Sequence, residues 1–435
     1  MFNEGKLVHA WETRPVVKVE GTAPVLALQD SSRGNQTTPI KTAGDTAGVY
    51  VCGITPYDAT HMGHAATYVN FDVMIRQLKD QGKTVTYVQN VTDIDDPLLE
   101  RANDRGLDWQ ALAEDQTELF RTDMKALNVI APDHYVGAVE AISTIVPVLE
   151  QLLAAGIAYP VPVTDGTAVH EGASDFYFDS EKAASDAWRL GDVSGYDRDV
   201  MMDFFTQRGG DPDRAGKHDA LDPLLWRAAR EGEPLWDGGL LGEGRPGWHI
   251  ECSVIARTYL PAPFTIQGGG SDLIFPHHEF SAGHASAVDG KELANHYVHT
   301  GMVGLDGEKM SKSLGNLVLV SQLRARGVEP VAIRATLLAE HFATDWFWTE
   351  DNLVAAQERI ATWRVALDRG TSTEAAAAVI AQIREAVANN LDTPGALVAI
   401  DEWATTTETD NAETAHADAA ATVRTALDSL LGLAL

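Results

Sequence analysis

Three segments near the start of the chain alternate as strand, helix and strand, and this order constrains the fold more than any other feature. A β-rich run at residues 49–52 is followed by a turn and a helical pattern of apolar residues three and four positions apart. The strand TVTYVQN comes next, and a second helical pattern covers residues 109–127. This alternation is typical of a parallel sheet with crossover helices, so the sequence predicts an α/β fold.

Shifts in composition along the chain predict five regions. The stretch 30–48 is polar and rich in turn residues, which predicts a loop before the first strong strand. The predicted regions are an N-terminal extension (1–47), the first half of the α/β domain (48–135), an inserted region (136–222), the second half of the α/β domain (223–320) and an acidic helical C-terminal domain (321–435).

The charge of the chain disfavours nucleic acid as a partner. There are 33 basic and 63 acidic residues, which gives a net charge of −30, and such a surface repels a phosphate backbone. The last lysine is Lys312, so the C-terminal region has only scattered arginines as basic residues besides histidine.

The sequence shows no secretion signal and no apolar run long enough to span a membrane. We therefore expect a cytoplasmic protein without a membrane anchor.

Two motifs have the residue types that handle phosphate groups. THMGHA places His61 and His64 where a helix begins, and a helix N-terminus attracts anions. EKMSKSLGN places Lys309 and Lys312 in a loop that can close over a leaving diphosphate. Read singly, the histidines fit ordinary capping and packing, and the lysines fit a solvated loop.

Together the two motifs resemble the HIGH and KMSKS signatures of the class I aminoacyl-tRNA synthetases. The stretches CGITPYD, VTDIDD, GRPGWHIEC and GGGSDLIFPHHE are similar to cysteinyl-tRNA synthetase in particular. The resemblance implies a Rossmann-like (HUP-type) catalytic domain with an inserted region and a C-terminal helical domain. It also implies that ATP, with Mg²⁺, and L-cysteine form cysteinyl adenylate, with His61, His64, Lys309 and Lys312 as catalytic residues.

The two cysteines gain a role through this resemblance. By themselves, Cys52 and Cys252 fit isolated buried thiols, and a disulfide is disfavoured in a chain without a secretion signal. The resemblance implies that Cys52, Cys252 and His277 bind one Zn²⁺. Three protein ligands leave one position open at a catalytic zinc, and a soft metal distinguishes the thiol of cysteine from the hydroxyl of serine.

The resemblance also identifies residues around the adenylate. Trp248 matches an aromatic wall beside the amino acid, although core packing explains Trp248 and Val303 equally well. We expect Asp93, Asp95 and Asp96 to cap a helix and orient neighbouring residues rather than to bind metal. The implied cysteinyl-adenylate site consists of Cys52, Gly53, Ile54, Thr55, Thr67, Asn90, Val91, Thr92, Trp248, Gly270, Ser271, Asp272 and Val303. Within it, Gly270, Ser271 and Asp272 resemble a ribose-binding turn, and Val303 resembles a residue whose backbone contacts adenine.

Two departures separate the chain from a cysteinyl-tRNA synthetase. HHEFS stands where the synthetases read HHENE, so Ser281 replaces a glutamate one turn after His277. The acidic C-terminal region also lacks the basic surface that tRNA requires. Both features resemble the cysteine ligases of mycothiol biosynthesis, whose RGGDP element matches the candidate acceptor region Arg208, Gly209, Gly210, Asp211 and Pro212; read alone, this element is a Gly-Asp-Pro turn.

Three functions follow as alternatives. The first is a monomeric ligase that joins L-cysteine to the amine of glucosaminyl-inositol and does not use tRNA. The second is a reduced synthetase that charges tRNA(Cys), and the third is a non-catalytic zinc and cysteine sensor. The sensor is disfavoured, because both phosphate-handling motifs retain their charged residues. We favour the ligase over the synthetase, because Ser281, the acidic C-terminal region and the RGGDP element all resemble the ligases.

Overall fold

The computed structural model describes residues 7–58, 60–305, 307–310, 316–406 and 413–435. The strands are β1 (Ala27–Asp30), β2 (Gln36–Pro39), β3 (Thr46–Val51), β4 (Thr84–Val91), β5 (His134–Gly137), β6 (Ala158–Pro162), β7 (Ser174–Phe178), β8 (Leu224–Ala228), β9 (Trp236–Asp237), β10 (Glu243–Pro246), β11 (Phe264–Gly270), β12 (Ala294–Thr300), β13 (Val303–Leu305), β14 (Glu308–Lys309) and β15 (Trp346–Trp348). The helices are α1 (Met62–Asp80), α2 (Asp96–Arg105), α3 (Trp109–Ala126), α4 (Ala138–Ala154), α5 (Ser180–Ala183), α6 (Arg198–Gln207), α7 (Trp248–Tyr259), α8 (Glu279–Asp289), α9 (Val320–Ala325), α10 (Pro330–Leu338), α11 (Glu350–Arg369), α12 (Thr373–Ala388), α13 (Thr393–Thr405) and α14 (Glu413–Leu431).

A parallel sheet of five strands, in the order β12-β11-β3-β4-β5, forms the centre of the molecule and confirms the predicted α/β fold. The register pairs Val51 with Gln89 on one side and with Gly268 on the other. Residues that follow these three positions therefore lie together at the carboxyl edge of the sheet. In open parallel sheets this edge is where ligands bind.

Side-chain alternation along β3 divides the interior into two cores. Val49 and Val51 pack into a core with α1 and the C-terminal helices. Tyr50 and Cys52 belong to the other core, which contains residues of α4, α7 and α8. Successive strand residues point to opposite faces, so Cys52 lies on the side of the sheet where α7 and α8 pack.

The inserted region contains an antiparallel sheet in the order β6-β7-β8-β10-β9. Its first two strands, β6 and β7, lie largely in the segments GIAYPV and DFYFD, whose β-branched and aromatic residues are typical of strands. The sheet continues to Pro246, past the predicted boundary of the region at residue 222, because β8 to β10 complete it. The C-terminal part of the chain is helical, as predicted, from α9 to α14 apart from the short strand β15.

The loop predicted for residues 30–48 is wrong in part, because β1 and β2 form a hairpin over residues 27–39 and β3 begins at residue 46. A 3-10 turn at Ser31–Arg33 joins β1 to β2, and Gly34 and Asn35 adopt the left-handed conformation (φ 62° and 61°) that the turn requires. The hairpin packs against β12. The polar and turn-forming residues of this stretch did not indicate that it contributes to two paired strands. Among the described helices, none is long and apolar enough to cross a membrane.

Candidate active site and metal centre

Cys52, Cys252 and His277 come together at the carboxyl edge of the central sheet. Their ligand atoms all lie within 4.8 Å of one another, and all three side chains are buried. Cys52 directly follows β3, Cys252 lies in α7, and His277 precedes α8. The prediction that these three distant residues meet is confirmed. Two thiols and one imidazole are the donors that zinc prefers.

The surroundings of the two thiols favour one thiolate in the pair. Burial and the adjacent Cys252 raise the pKa of Cys52. Burial acts in the same direction on Cys252, but the hydrogen bond with Cys52 and the neighbouring His277 lower its pKa well below the ordinary value. A thiolate is the form of cysteine that binds metals.

Two neighbours on α7 orient His277. Its Nδ1 lies 3.0 Å from Nδ1 of His249, and its ring stacks on that of Trp248 with 4.2 Å between centroids. Because Nδ1 of His277 makes this contact, Nε2 is the ring nitrogen that could bind a metal ion. Sequence reasoning did not identify His249, although its position three residues before Cys252 puts both on one face of the helix.

The side chains that follow His277 have other partners. The Ser281 hydroxyl donates to the carbonyl oxygens of His277 (2.7 Å) and His249 (3.3 Å). The carboxylate of Glu279 is likewise hydrogen-bonded to groups outside the metal cluster. It accepts hydrogen bonds from Trp188 Nε1, Gly191 N and Ser194 N, at 3.0, 3.0 and 2.8 Å.

Asn90 organises the loop that follows Cys52. Its Oδ1 accepts hydrogen bonds from Gly53 N at 2.7 Å and from the Tyr50 hydroxyl at 3.0 Å. Its Nδ2 donates to Thr92 Oγ1 at 3.1 Å, and Thr92 N donates to Ile54 O at 3.0 Å. A Cβ on Gly53 would lie 1.6 Å from the Asn90 carbonyl oxygen, so only glycine fits. The structure thus places the predicted residues 52–55 beside residues 90–92.

The two histidines of the first phosphate motif lie at the start of α1. Nδ1 of His61 accepts a hydrogen bond from Gly63 N at 3.1 Å, so this histidine caps the helix. The rings of His61 and His64 stack with 3.8 Å between centroids, and burial lowers the pKa of His64. On the next turn, Thr67 Oγ1 lies 2.9 Å from Thr300 Oγ1 at the end of β12.

The two phosphate motifs are joined through the backbone. Met62 N donates to Val318 O at 2.9 Å, and Val320 N donates to Thr60 O at 3.0 Å. The chain that leaves the lysine loop therefore pairs with the segment that begins α1. Lys309 lies in β14, whereas Lys312 lies outside the described residues. Val303, the first residue of β13, is buried.

The predicted ribose turn follows β11. A Cβ on Gly270 would lie 2.6 Å from Oδ1 of Asp272, so the carboxylate can occupy its present position only if residue 270 is glycine. Ser271 and Asp272 lie in a 3-10 turn. Nη1 of Arg208 donates to the carbonyl oxygen of Asp272 at 2.6 Å and to that of Phe275.

The RGGDP element is therefore a structural connection as well as a candidate acceptor region. Arg208 links it to the segment between the ribose turn and His277. Asp211 accepts hydrogen bonds from the Tyr177 hydroxyl and from Lys217 Nζ, the latter at 3.0 Å. Gly209 has a positive φ of 87°, and a Cβ on Gly210 would collide with Phe205. Sequence reasoning foresaw a turn here but not these anchors.

Two of the three acidic residues after β4 cap helices, as expected, and the third, Asp96, pairs with Arg245. Oδ1 of Asp93 accepts from Val139 N at 2.9 Å at the start of α4, and Asp95 accepts from Asp96 N at 2.8 Å at the start of α2. Within the described ranges, Cys52, Cys252 and His277 form the only group of three or more potential ligands close enough to share a metal ion.

Comparisons with known proteins agree with this geometry. Residues 39–358 match the family model for the class I (C) tRNA synthetase catalytic domain. The chain is 56% identical over 431 residues to the L-cysteine:1D-myo-inositol 2-amino-2-deoxy-alpha-D-glucopyranoside ligase of Paenarthrobacter aurescens (strain TC1), covering 98% of this chain and 100% of the relative. It is 59% identical over 408 residues to the ligase of the same name from Micrococcus luteus, covering 93% and 95%. The methionyl-tRNA synthetase of Mycobacterium tuberculosis, in complex with methionyl-adenylate, shares the fold with a TM-score of 0.58 at 17% identity, covering 89% of each chain.

Proposed function

The chain belongs to the class I (C) tRNA synthetase catalytic-domain family and, within it, to the L-cysteine:1D-myo-inositol 2-amino-2-deoxy-alpha-D-glucopyranoside ligases, and we propose that it catalyses the reaction these relatives are named for. It is an ATP-dependent, AMP-forming ligase of mycothiol biosynthesis. It joins the carboxyl group of L-cysteine to the amine of glucosaminyl-inositol. The observation that carries this proposal is the similarity to the ligases over nearly the whole chain, together with the cluster of Cys52, Cys252 and His277.

The residues of the cluster fit a zinc ion. Three buried donors of the preferred types lie within reach of one ion, and the Ser281 hydroxyl is directed to backbone carbonyls instead. Bound zinc would supply a Lewis acid with an open position for the sulfur of the substrate. Because zinc binds a thiolate much better than a hydroxyl group, the metal would select cysteine over serine. Trp248, stacked on His277, would cover the bound amino acid.

In the first half-reaction, the carboxylate of cysteine attacks the α-phosphate of ATP, supplied with Mg²⁺, and diphosphate leaves. His61 and His64 stand at the N-terminus of α1, where the positive end of the helix dipole favours phosphate. Lys309 and Lys312 would close over the leaving diphosphate. The backbone pairing of residues 60–62 with residues 318–320 supports joint action of the two motifs.

In the second half-reaction, the neutral amine of the acceptor attacks the acyl carbon of cysteinyl adenylate. The amide bond forms, the bond to the phosphate oxygen breaks, and AMP leaves, while the amine proton passes to solvent or to a base. For the acceptor we propose the loop of Gly209, Gly210, Asp211 and Pro212. Its support is that Arg208 fixes this loop beside the segment of Asp272, which we assign to the ribose.

We also propose that the enzyme acts as a monomer in the cytoplasm and does not use tRNA. The chain has no lysine after Lys312, and its net charge of −30 would repel the tRNA backbone. The reduced state of Cys52 and Cys252 fits a compartment that keeps thiols reduced.

Isotope exchange between diphosphate and ATP tests the first half-reaction without an acceptor. We expect exchange with cysteine and none above background with serine at the same concentration. Exchange that does not depend on cysteine, or that serine supports equally, would contradict the assigned amino acid.

A further inference from the structure

A continuous series of hydrogen bonds runs from the candidate metal centre to the N-terminal hairpin. Sγ of Cys52 lies 3.1 Å from Nε2 of His278. Nδ1 of His278 lies 2.7 Å from Nε2 of His299, and Nδ1 of His299 lies 2.7 Å from Oγ of Ser31. All four residues are buried, with at most 8% of their surface exposed. We call these four residues the relay.

In the zinc-bound state that the proposed function assigns, Cys52 is a thiolate, and this would fix the direction of every bond in the relay. Because a thiolate only accepts hydrogen bonds, Nε2 of His278 must carry the proton and donate to it. A neutral imidazole has one N–H, so Nδ1 of His278 accepts from His299 Nε2. Nδ1 of His299 then accepts from the Ser31 hydroxyl. One tautomer of each ring and one orientation of the hydroxyl satisfy all three contacts.

The neutral state of the rings agrees with their burial. Burial lowers the pKa of His299 to about 3, so the ring is uncharged near neutral pH. If the tautomers were reversed, the lone pair of His278 Nε2 would face the lone pairs of the thiolate. The Ser31 hydroxyl can donate or accept, so the thiolate selects the direction of the relay, and in that direction Ser31 donates to His299 Nδ1 while Nε2 of the same ring donates to His278.

The hairpin holds Ser31 firmly in place. The adjacent Asp30 is fully buried, and its carboxylate accepts from Tyr297 N at 3.2 Å and lies 3.1 Å from His296 Nδ1, both in β12. Ser31 is therefore attached to the same strand that provides His299. No function was apparent for residues 1–47 from the sequence, and this contact supplies one.

We propose that Ser31 and His299 are positioning residues of the metal centre, which hold His278 in the tautomer that donates to the Cys52 thiolate. This inference rests on the assignment of Cys52 as a zinc ligand in the proposed function. Hydrogen bonds of this kind fix the orientation of a ligand and adjust how strongly it donates to the metal. The hairpin thereby contributes to the metal centre without contacting the ion or the substrate.

The test compares Ser31→Ala with two matched variants of the same turn, Ser31→Thr and Ser32→Ala. Ser31→Thr keeps a hydroxyl donor. The Ser32 hydroxyl bonds to Asp30 Oδ1 at 2.7 Å, outside the relay. Zinc affinity is measured by competition with a chromophoric chelator, and the thiolate-to-metal charge-transfer absorption is measured after Co²⁺ replaces zinc. Circular dichroism checks that each variant folds.

We expect Ser31→Ala to weaken zinc binding roughly 10–100-fold, the usual effect of losing a supporting partner of a ligand, and to shift the charge-transfer band. Ser31→Thr should restore both properties, and Ser32→Ala should match the wild type. His299→Leu, which removes the next member of the relay, should reproduce the loss.

Wild-type zinc affinity and an unshifted band in both Ser31→Ala and His299→Leu would overturn the proposal. Equal losses in Ser31→Ala and Ser32→Ala would assign the effect to packing of the hairpin and would also overturn it. If the wild-type protein itself bound no zinc, the metal assignment of the proposed function would fail first, and this inference with it.

Discussion

The Ser281 hydroxyl donates a hydrogen bond to the carbonyl oxygen of His277, 2.7 Å away, one helical turn before it. Residues four apart on a helix lie on the same face, so a carboxylate at this position would lie beside the imidazole of His277. The hydroxyl of Ser281 instead donates its hydrogen bond to a backbone carbonyl oxygen. The proposed zinc site therefore keeps three protein ligands and one position for the sulfur of cysteine.

Ser281→Ala should retain zinc, because the hydroxyl is not a ligand in this account. Loss of its hydrogen bond should lower the free energy of unfolding by about 0.5–1.5 kcal/mol, measured by denaturant titration. Metal analysis should still find one zinc per chain, and cysteine-dependent exchange should stay close to the wild-type rate. A preparation free of zinc would show that Ser281 does bind the metal.

Cys252→Ala should abolish zinc binding and cysteine activation together, since it leaves only Cys52 and His277 as donors. Metal analysis and cysteine-dependent exchange measure the two effects on one preparation. Ser253→Ala is the matched control, because the adjacent Ser253 is buried in the same helix and is not a candidate ligand. Stoichiometric zinc in Cys252→Ala would refute the assignment of this ligand.

Arg208→Met should raise the KM for ATP, because the guanidinium holds the carbonyl oxygens of Asp272 and Phe275. Freed from Arg208, the segment would place the Asp272 carboxylate less accurately for the ribose. Arg198→Met removes an arginine from the neighbouring α6, where it forms an exposed ion pair with Asp219 at 2.8 Å. Exposed pairs contribute little, so this variant should resemble the wild type. An unchanged KM for ATP in Arg208→Met would contradict the positioning role.

The sequence predicted the central fold and the metal cluster well, for physical reasons that can be named. The β-rich run of β3, the helical spacing along α1 and the strand, helix, strand order are local patterns, and they predicted the parallel sheet. Cys52, Cys252 and His277 belong to motifs whose family resemblance could be recognised. The positions of Asp93 and Asp95 directly after a strand similarly predicted their capping role.

The relay and the Arg208 contacts could not be predicted from the sequence. Ser31 and His299 are 268 positions apart, and their contact depends on how the hairpin packs against β12. The partners of Arg208 are backbone carbonyls 64 and 67 positions away, which no residue pattern indicates. The hairpin itself was missed because β1 and β2 have only four residues each, too few for a clear strand pattern.

The stability of the protein should depend on pH through Asp93, whose pKa burial raises from 3.8 to about 6. Between these two values the unfolded chain releases the proton while the folded protein keeps it, so this residue destabilises the fold progressively as pH rises from 4 to 6. Asp93→Asn keeps an acceptor for Val139 N but cannot ionise. Its Tm relative to the wild type should therefore increase between pH 4 and pH 7. Parallel Tm curves for the two proteins would contradict the raised pKa.

The choice of acceptor tests the central claim most directly. The protein is incubated with ATP, Mg²⁺ and L-cysteine together with either glucosaminyl-inositol or tRNA(Cys), and AMP and the cysteinyl product are quantified. The account predicts stoichiometric AMP and cysteinyl amide with glucosaminyl-inositol, and neither AMP above background nor cysteinyl-tRNA with tRNA(Cys). Formation of cysteinyl-tRNA and AMP with tRNA(Cys), and no product with the aminosugar, would contradict it.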